Sequence, residues 1–282
     1  MRLSTSAAAI AAGCLLLSAG AGSAAPGQLD VDGGKIAYET CGSSGETLVL
    51  LHDGILHSAA YDDVWPLLCQ RYRVVRYDRR GYGASSPVAG PYAPAQDLAA
   101  LMRALDIPHA TLVGSSSGSG VAVDFALAHP EAVDRLVLVG PWVSGFDASY
   151  GFIARSLKLL ILFKLGAING AVKDPYILTK GAATERKRVA DLLRAHPGNV
   201  TAGMQEQSLS AAKTRLGEIR APTLILVGAV DIKDVQEQAK ALEAGIPGAR
   251  RVVVPDSGHL MYLERPKAFA SYVIEFIDRQ AR

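Results

Sequence analysis

The chain has 282 residues, 49% of them hydrophobic and 20% charged, which suits one large α/β domain or two small ones and excludes a disordered polyelectrolyte. Its 29 basic and 27 acidic residues nearly cancel to a formal charge of +2, and there is no basic block or aromatic-basic interleaving, which argues against a nucleic-acid partner.

In chain order, residues 1–25 come first. No charge lies between Arg2 and Asp30; Ala7–Ala12, Leu15–Leu17 and the small residues Ser18–Ala25 follow a basic start. This is the pattern of an export signal cleaved near Ala24 or Ala25, implying a periplasmic or secreted protein with no stable membrane span once it is cut. An uncleaved anchor is the alternative, disfavoured because Ala, Gly and Ser dominate the stretch, and lipidation at Cys14 would strand Leu15–Leu17 after the cut. Export would leave Cys41 and Cys69 in an oxidising compartment, where they form either a disulfide or two separate buried thiols.

Leu29–Val31 and Lys35–Thr40 alternate as a hairpin around Asp32-Gly33-Gly34. Thr47–Leu51 is an apolar run of the kind covered on both faces of a sheet, and Arg73–Tyr77 is another strand. Tyr61, Val64, Trp65 and Leu68 make a helical stripe over 61–70. Helices are predicted at Pro94–Leu105, Ser117–His129, Val235–Ala244 and Pro266–Arg279, and strands at His109–Val113, Leu136–Val139, Pro222–Val227 and Arg251–Val254. Alternation of strands and helices from residue 47 onward requires a parallel sheet with right-handed crossovers.

Residues 141–221 break that rhythm. They hold helical periodicity at 152–169, 184–195 and 201–217 but no convincing strand, so they read as a helical cap inserted into a core made of 26–140 and 222–282. The first cap helix is apolar almost all round despite Arg155, Lys158 and Lys164, so it is expected to be buried on most sides. Packing on the sheet domain is the simplest account; a wall for an apolar substrate, a dimer face and a lipid-facing surface are the others.

The stretch Gly114-Ser115-Ser116-Ser117-Gly118 lies between a strand and a helix. A G-x-S-x-G pattern is common by chance in a chain with 28 glycines, but at a strand-to-helix turn it strains the central residue and exposes the Ser116 hydroxyl. A serine hydroxyl needs a base within reach, and the base needs an orienting group. Of six histidines, His109, His129 and His196 sit beside prolines as surface or cap residues, whereas His259 follows the last strand and would reach the carboxyl edge of the sheet. Asp231, just past the strand ending at Val227, is the acid expected on its other ring nitrogen; Asp234 is better placed to start the next helix.

These stretches in the order Ser, Asp, His resemble the α/β-hydrolase family over nearly the whole mature chain. His52-x-Gly54, Asp78-Arg79-Arg80-Gly81-Tyr82-Gly83-Ala84-Ser85, His129-Pro130, Gly258-His259 and Glu264-Arg265-Pro266 carry the likeness. The nearest branch is that of capped small esterases, lactonases and cofactor-independent haloperoxidase-like enzymes. The resemblance implies an α/β-hydrolase fold with a mostly parallel eight-stranded sheet, helices on both faces and an inserted cap. It also implies a catalytic triad of Ser116, Asp231 and His259, an oxyanion hole from the N–H groups of Gly54 and Ser117, no cofactor, and a small acyl substrate. Where the family usually has Gly, this chain has Asp53, whose carboxylate is expected to face a neighbour or solvent.

The function expected is hydrolysis of an ester, thioester or lactone through an acyl-enzyme. The alternatives are carbon–carbon bond hydrolysis or perhydrolysis with the same triad, or a non-catalytic sensor on the same fold. Trp142, Phe146 and Tyr150 are candidate pocket residues, with core packing the competing reading. A dinucleotide loop fails because Val123 stands where its third Gly belongs, and a metal site from His52, Asp53 and His57 is disfavoured by Gly54 between them.

Overall fold

A computed structural model describes residues 25–280 except Ser44, so the expected export signal and Cys14 lie outside the described residues. Eight strands form one sheet: β1 (Ala25–Val31), β2 (Gly34–Cys41), β3 (Thr47–Leu51), β4 (Arg73–Tyr77), β5 (Ala110–Ser115), β6 (Val133–Val139), β7 (Thr223–Gly228) and β8 (Arg250–Val254). Their order is β1-β2-β4-β3-β5-β6-β7-β8. The β1–β2 hairpin and the β2–β4 pair are antiparallel, and every other pairing is parallel.

Parallel strands bury both faces, and the side-chain period of two assigns alternate residues to opposite cores. Along β3, Val49 and Leu51 join one core with Leu112 of β5 and Ile225 of β7, while Leu48 and Leu50 join the other with Val113 and Leu224. Helices α2 (Pro94–Ala104), α3 (Ser117–Ala128) and α8 (Lys233–Gly245) cover the first face; α1 (Trp65–Cys69), α9 (Met261–Glu264) and α10 (Pro266–Gln280) cover the second. The stripe at 61–70 becomes a 3-10 turn, Ser58–Tyr61, and the short α1, because Pro66 fixes a helix start there. Cys41, closing β2, and Cys69, closing α1, are disulfide-bonded with Cα atoms 5.6 Å apart.

Residues 141–221 contain α4 (Tyr150–Lys164), α5 (Ile168–Ala171), α6 (Ala183–Ala195) and α7 (Asn199–Ala202). Two expectations fail here. The stripe at 201–217 is not one helix but short 3-10 turns at Gly203–Gln205, Ala212–Thr214 and Leu216–Glu218, held by partners elsewhere such as the Leu209 N–H to Asp124 Oδ2 bond of 3.2 Å. Nor is α4 buried on most sides: none of its residues is fully buried, and Ile153, Leu157 and Ile161 are exposed. Among the described residues no helix is long and apolar enough to cross a membrane.

Candidate active site

The apolar run of β5 ends at Gly114-Ser115, and the chain reverses into α3 through Ser116, whose φ of 53° and ψ of −119° place a non-glycine residue in the sparsely occupied positive-φ region. Close packing over-determines the turn. A Cβ on Gly114 would lie 2.4 Å from Gly118 O, and one on Gly118 would lie 2.5 Å from the carbonyls of Leu51 and His52. The Ser116 N–H donates to Val139 O at 2.8 Å, tying the turn to β6, and the Ser119 hydroxyl donates to Gly114 O at 2.7 Å, tying α3 back to β5.

Asp231 follows β7 at the same sheet edge, its side chain wholly buried, and His259 Nδ1 donates to its Oδ2 at 2.9 Å. The neighbouring Ile232 N–H donates to Oδ1 at 2.7 Å. Asp234 lies away from the histidine, its carboxylate accepting from the backbone and hydroxyl of Ser149 at 2.8 and 2.9 Å. The loop bearing His259 is pinned by Glu264, which accepts from Gly258 N–H at 2.6 Å and from the Thr179 hydroxyl at 2.6 Å, and by a 2.8 Å bond from His259 N–H to Tyr176 O. Burial pulls the His259 pKa down, but the charge and hydrogen bond of Asp231 outweigh it and hold the ring above the ordinary histidine value.

Gly140, unnoticed in the sequence, has φ +49°, and a Cβ there would sit 2.9 Å from His259 Nδ1 and 3.1 Å from Asp231 Oδ2. It directly follows β6, next to the strand that carries the elbow.

His52 is fully buried and held neutral: burial and the Arg79 cation push its pKa far down. Its Nδ1–H donates to Asp53 O at 2.7 Å and its Nε2 accepts from Arg79 N–H at 3.0 Å, which fixes the tautomer. Asp53 faces neighbours, as expected: Oδ1 accepts from the N–H groups of Ile55 and Leu56 at 2.8 and 2.9 Å, and Oδ2 from the Tyr262 hydroxyl at 2.7 Å. An Asx-type turn thus shapes the loop around Gly54. The buried Arg79 donates to Asp53 O, to Ser117 Oγ at 2.9 Å, and to Glu206 of the cap at 2.7 Å. Among the described residues the N–H groups of Gly54 and Ser117 have no protein acceptor.

Ser116, His259 and Gly54 line one cavity of about 220 Å³, walled by Ile55, Trp142, Phe152, Leu159, Ile177, Ile232, Val235 and Leu260 with Arg155 at one side. It adjoins an outer cavity of about 920 Å³ that shares Phe152, Arg155 and Ile232 and also holds Phe146. Of the three candidate pocket residues, Trp142 lines the inner cavity and Phe146 the outer one. Tyr150 lines neither, because it sits on the outward face of α4, 93% exposed. Of the cap's share of the wall, Phe152, Arg155 and Leu159 lie on the helix that the sequence offered only as one possible wall for an apolar substrate, and Ile177 was not picked out, because cap packing gives the same pattern.

The other histidines stand apart. His109 pairs with Asp134, His129 caps α3 next to Glu131, and His57 packs edge-on against His196 at 4.5 Å. Among the described residues no group of three or more His, Cys, Asp or Glu side chains is placed to hold a metal ion.

Comparison with known proteins agrees with this geometry. A relative in Cupriavidus pinatubonensis, a 2-hydroxy-6-oxononadienedioate/2-hydroxy-6-oxononatrienedioate hydrolase, is 30% identical over 86% of this chain and 90% of its own length. A solved N-acyl homoserine lactone degrading enzyme superposes with a TM-score of 0.73 at 26% identity, covering 89% of this chain and all of its own. An esterase from Exiguobacterium antarcticum superposes with a TM-score of 0.76 at 25% identity, covering 88% and 97%. The family profile described as "Alpha/beta hydrolase family" matches residues 48–272. By sequence, sheet order and elbow alike, the chain belongs to the alpha/beta hydrolase family.

Proposed function

We propose that this hydrolase cleaves a small, apolar carboxylic ester or lactone through an acyl-enzyme on Ser116. The observation that carries the reading is the shared cavity: a strained serine and a histidine held by a buried aspartate open onto one small, mostly apolar space. In the first step Ser116 Oγ attacks the carbonyl carbon while its proton passes to His259 Nε2, and Asp231 stabilises the resulting imidazolium. The N–H groups of Gly54 and Ser117 receive the developing oxyanion; each such donor is worth on the order of 3 kcal/mol of barrier. The imidazolium then protonates the departing alkoxide, and a water deprotonated by His259 releases the acid. Similarity to a lactone-degrading enzyme and an esterase supports the substrate class.

A second reading, carbon–carbon bond hydrolysis, is favoured by the 30% identical relative, whose named substrate is a dioate. Against it stands the charge of the inner cavity. Among the described residues its one arginine or lysine, Arg155, is already held by both oxygens of Asp174 at 2.7 and 2.8 Å, which leaves a doubly anionic substrate without a ready permanent counter-charge there.

The test is a substrate panel. Short p-nitrophenyl esters and lactones are expected to turn over well above a 2-hydroxy-6-oxo-dienoate, and Ser116→Ala to lower ester turnover by roughly four to six orders of magnitude. A fluorophosphonate should label the wild-type serine and not the variant. Preferential cleavage of the dienoate would establish the second reading, and absence of labelling with no turnover would point to a sensor.

A further inference from the structure

Helix α4 has two faces of different character. Phe152, Leu159 and Phe163 pack against the hydrophobic cores, and Phe152, Arg155, Ser156 and Leu159 line the catalytic cavity. At about 100° per residue, Tyr150, Ile153, Leu157, Ile161 and the adjoining Leu165 fall on the opposite side. They are 93, 52, 56, 48 and 76% exposed. Singly exposed apolar residues are ordinary on a protein surface, but five large ones spaced three and four apart make a continuous apolar row.

The charges carried by α4 itself and by the turn after it all have one sign, while Asp147, Asp174, Asp234 and Glu237 stand on the cavity side. From Tyr150 to Lys173 the charged residues are Arg155, Lys158, Lys164 and Lys173, with no acid among them. Arg155 is neutralised by Asp174; the other three are exposed and, among the described residues, take part in no ion pair. Lys158 and Lys164 flank the row on its two sides.

We propose that the outer face of α4 is a docking surface for an anionic lipid interface, lying in the plane of the headgroups with Ile153, Leu157 and Ile161 inserted and Lys158 and Lys164 at the phosphates. Such helices bind through buried apolar area together with attraction between basic flanks and anionic lipid. The same charges weigh against a second copy of the chain as the occupant. A two-fold pairing of α4 on α4 would set lysines against lysines, with no acid on the helix to offset them. Because Phe152, Arg155 and Lys158 also line the outer cavity, docking by this face brings the opening of the catalytic site close to the lipid.

The test uses the full chain with phosphatidylglycerol-containing and pure phosphatidylcholine vesicles. Co-sedimentation with the anionic vesicles is expected, weakened by high salt, together with slowed amide exchange confined to 150–165. Exchanging Leu157→Glu together with Ile161→Glu should reduce anionic-vesicle binding by about tenfold or more. Circular dichroism and turnover of a water-soluble ester should stay as in wild type, since neither residue lines the catalytic cavity. Three results would each overturn the proposal: no vesicle-dependent protection at 150–165; a doubly substituted protein that binds as wild type does; or a concentration-dependent dimer, seen by sedimentation velocity without lipid, that the two substitutions abolish.

Discussion

At the scale of single residues, the site depends on one proton and on one missing methyl group. In the proposed mechanism His259 acts as a base only when neutral, and Asp231 holds its pKa above the ordinary value of about 6.5. The acid limb of kcat/KM is therefore expected above that value, with activity falling as pH drops through it. Asp231→Asn removes the two largest raising influences and leaves burial and Arg155 opposed only by the smaller pull of Asp53, so the limb should move to lower pH while the rate falls by roughly 10⁴. A pH–rate profile of both proteins checks the sign. Gly140→Ala would press a Cβ onto the His259–Asp231 pair and force alanine into positive φ. A displacement approaching 1 Å is expected to lower kcat/KM by about a hundredfold, while melting shows only a modest loss of stability. The gathering of Ser116, Asp231 and His259 at one edge of the sheet was legible in sequence because each follows a strand rich in Val and Leu. Gly140 was not, because its reason lies in two side chains that reach it from 91 and 119 residues away.

At the scale of elements, apolar runs identified β3, β5 and β7, since a strand covered on both faces has few polar positions to hide it. The cap was harder. Residues 201–217 carry a helical stripe, yet Gly203 and Gly217 interrupt it, and side chains from α3 and the 144 region capture its backbone one turn at a time. Composition suggested that α4 was buried, but composition does not say whether a covering partner belongs to the same chain. The pairing of Cys41 with Cys69 also waited on geometry: sequence left bridge and separate thiols equally open, and only the fold brings the end of β2 beside the end of α1. On the chain-entropy account a bridge spanning 28 residues stabilises by about 3 to 4 kcal/mol. Cys41→Ser with Cys69→Ser is expected to lower the unfolding free energy by that amount, read from the denaturant midpoint, with ester turnover at 25 °C little changed.

At the scale of the whole molecule, the cap and the core are stitched together. Arg79 of the core meets Glu206 of the cap, Arg188 of α6 pairs with Asp62 at 3.3 Å and with Asp63, and Asn199 reaches His57. The Arg79–Glu206 pair is the most consequential of these, because the guanidinium is buried and also holds the oxyanion loop through Asp53 O and Ser117 Oγ. Glu206→Gln leaves that cation without a counter-charge, and a destabilisation of about 3 to 5 kcal/mol is expected in chemical denaturation, with a lower kcat as the loop loosens. The sequence marked the insertion as something that covers the site. How firmly it is fastened was hidden, because every fastening joins residues far apart along the chain.

Fastened in this way, the cap is a roof rather than a flap. Phe152 and Ile232, shared by the outer and inner chambers, then mark the threshold that a reactant entering between α4 and α8 would cross. The width of that threshold is then expected to bear on which molecules reach Ser116.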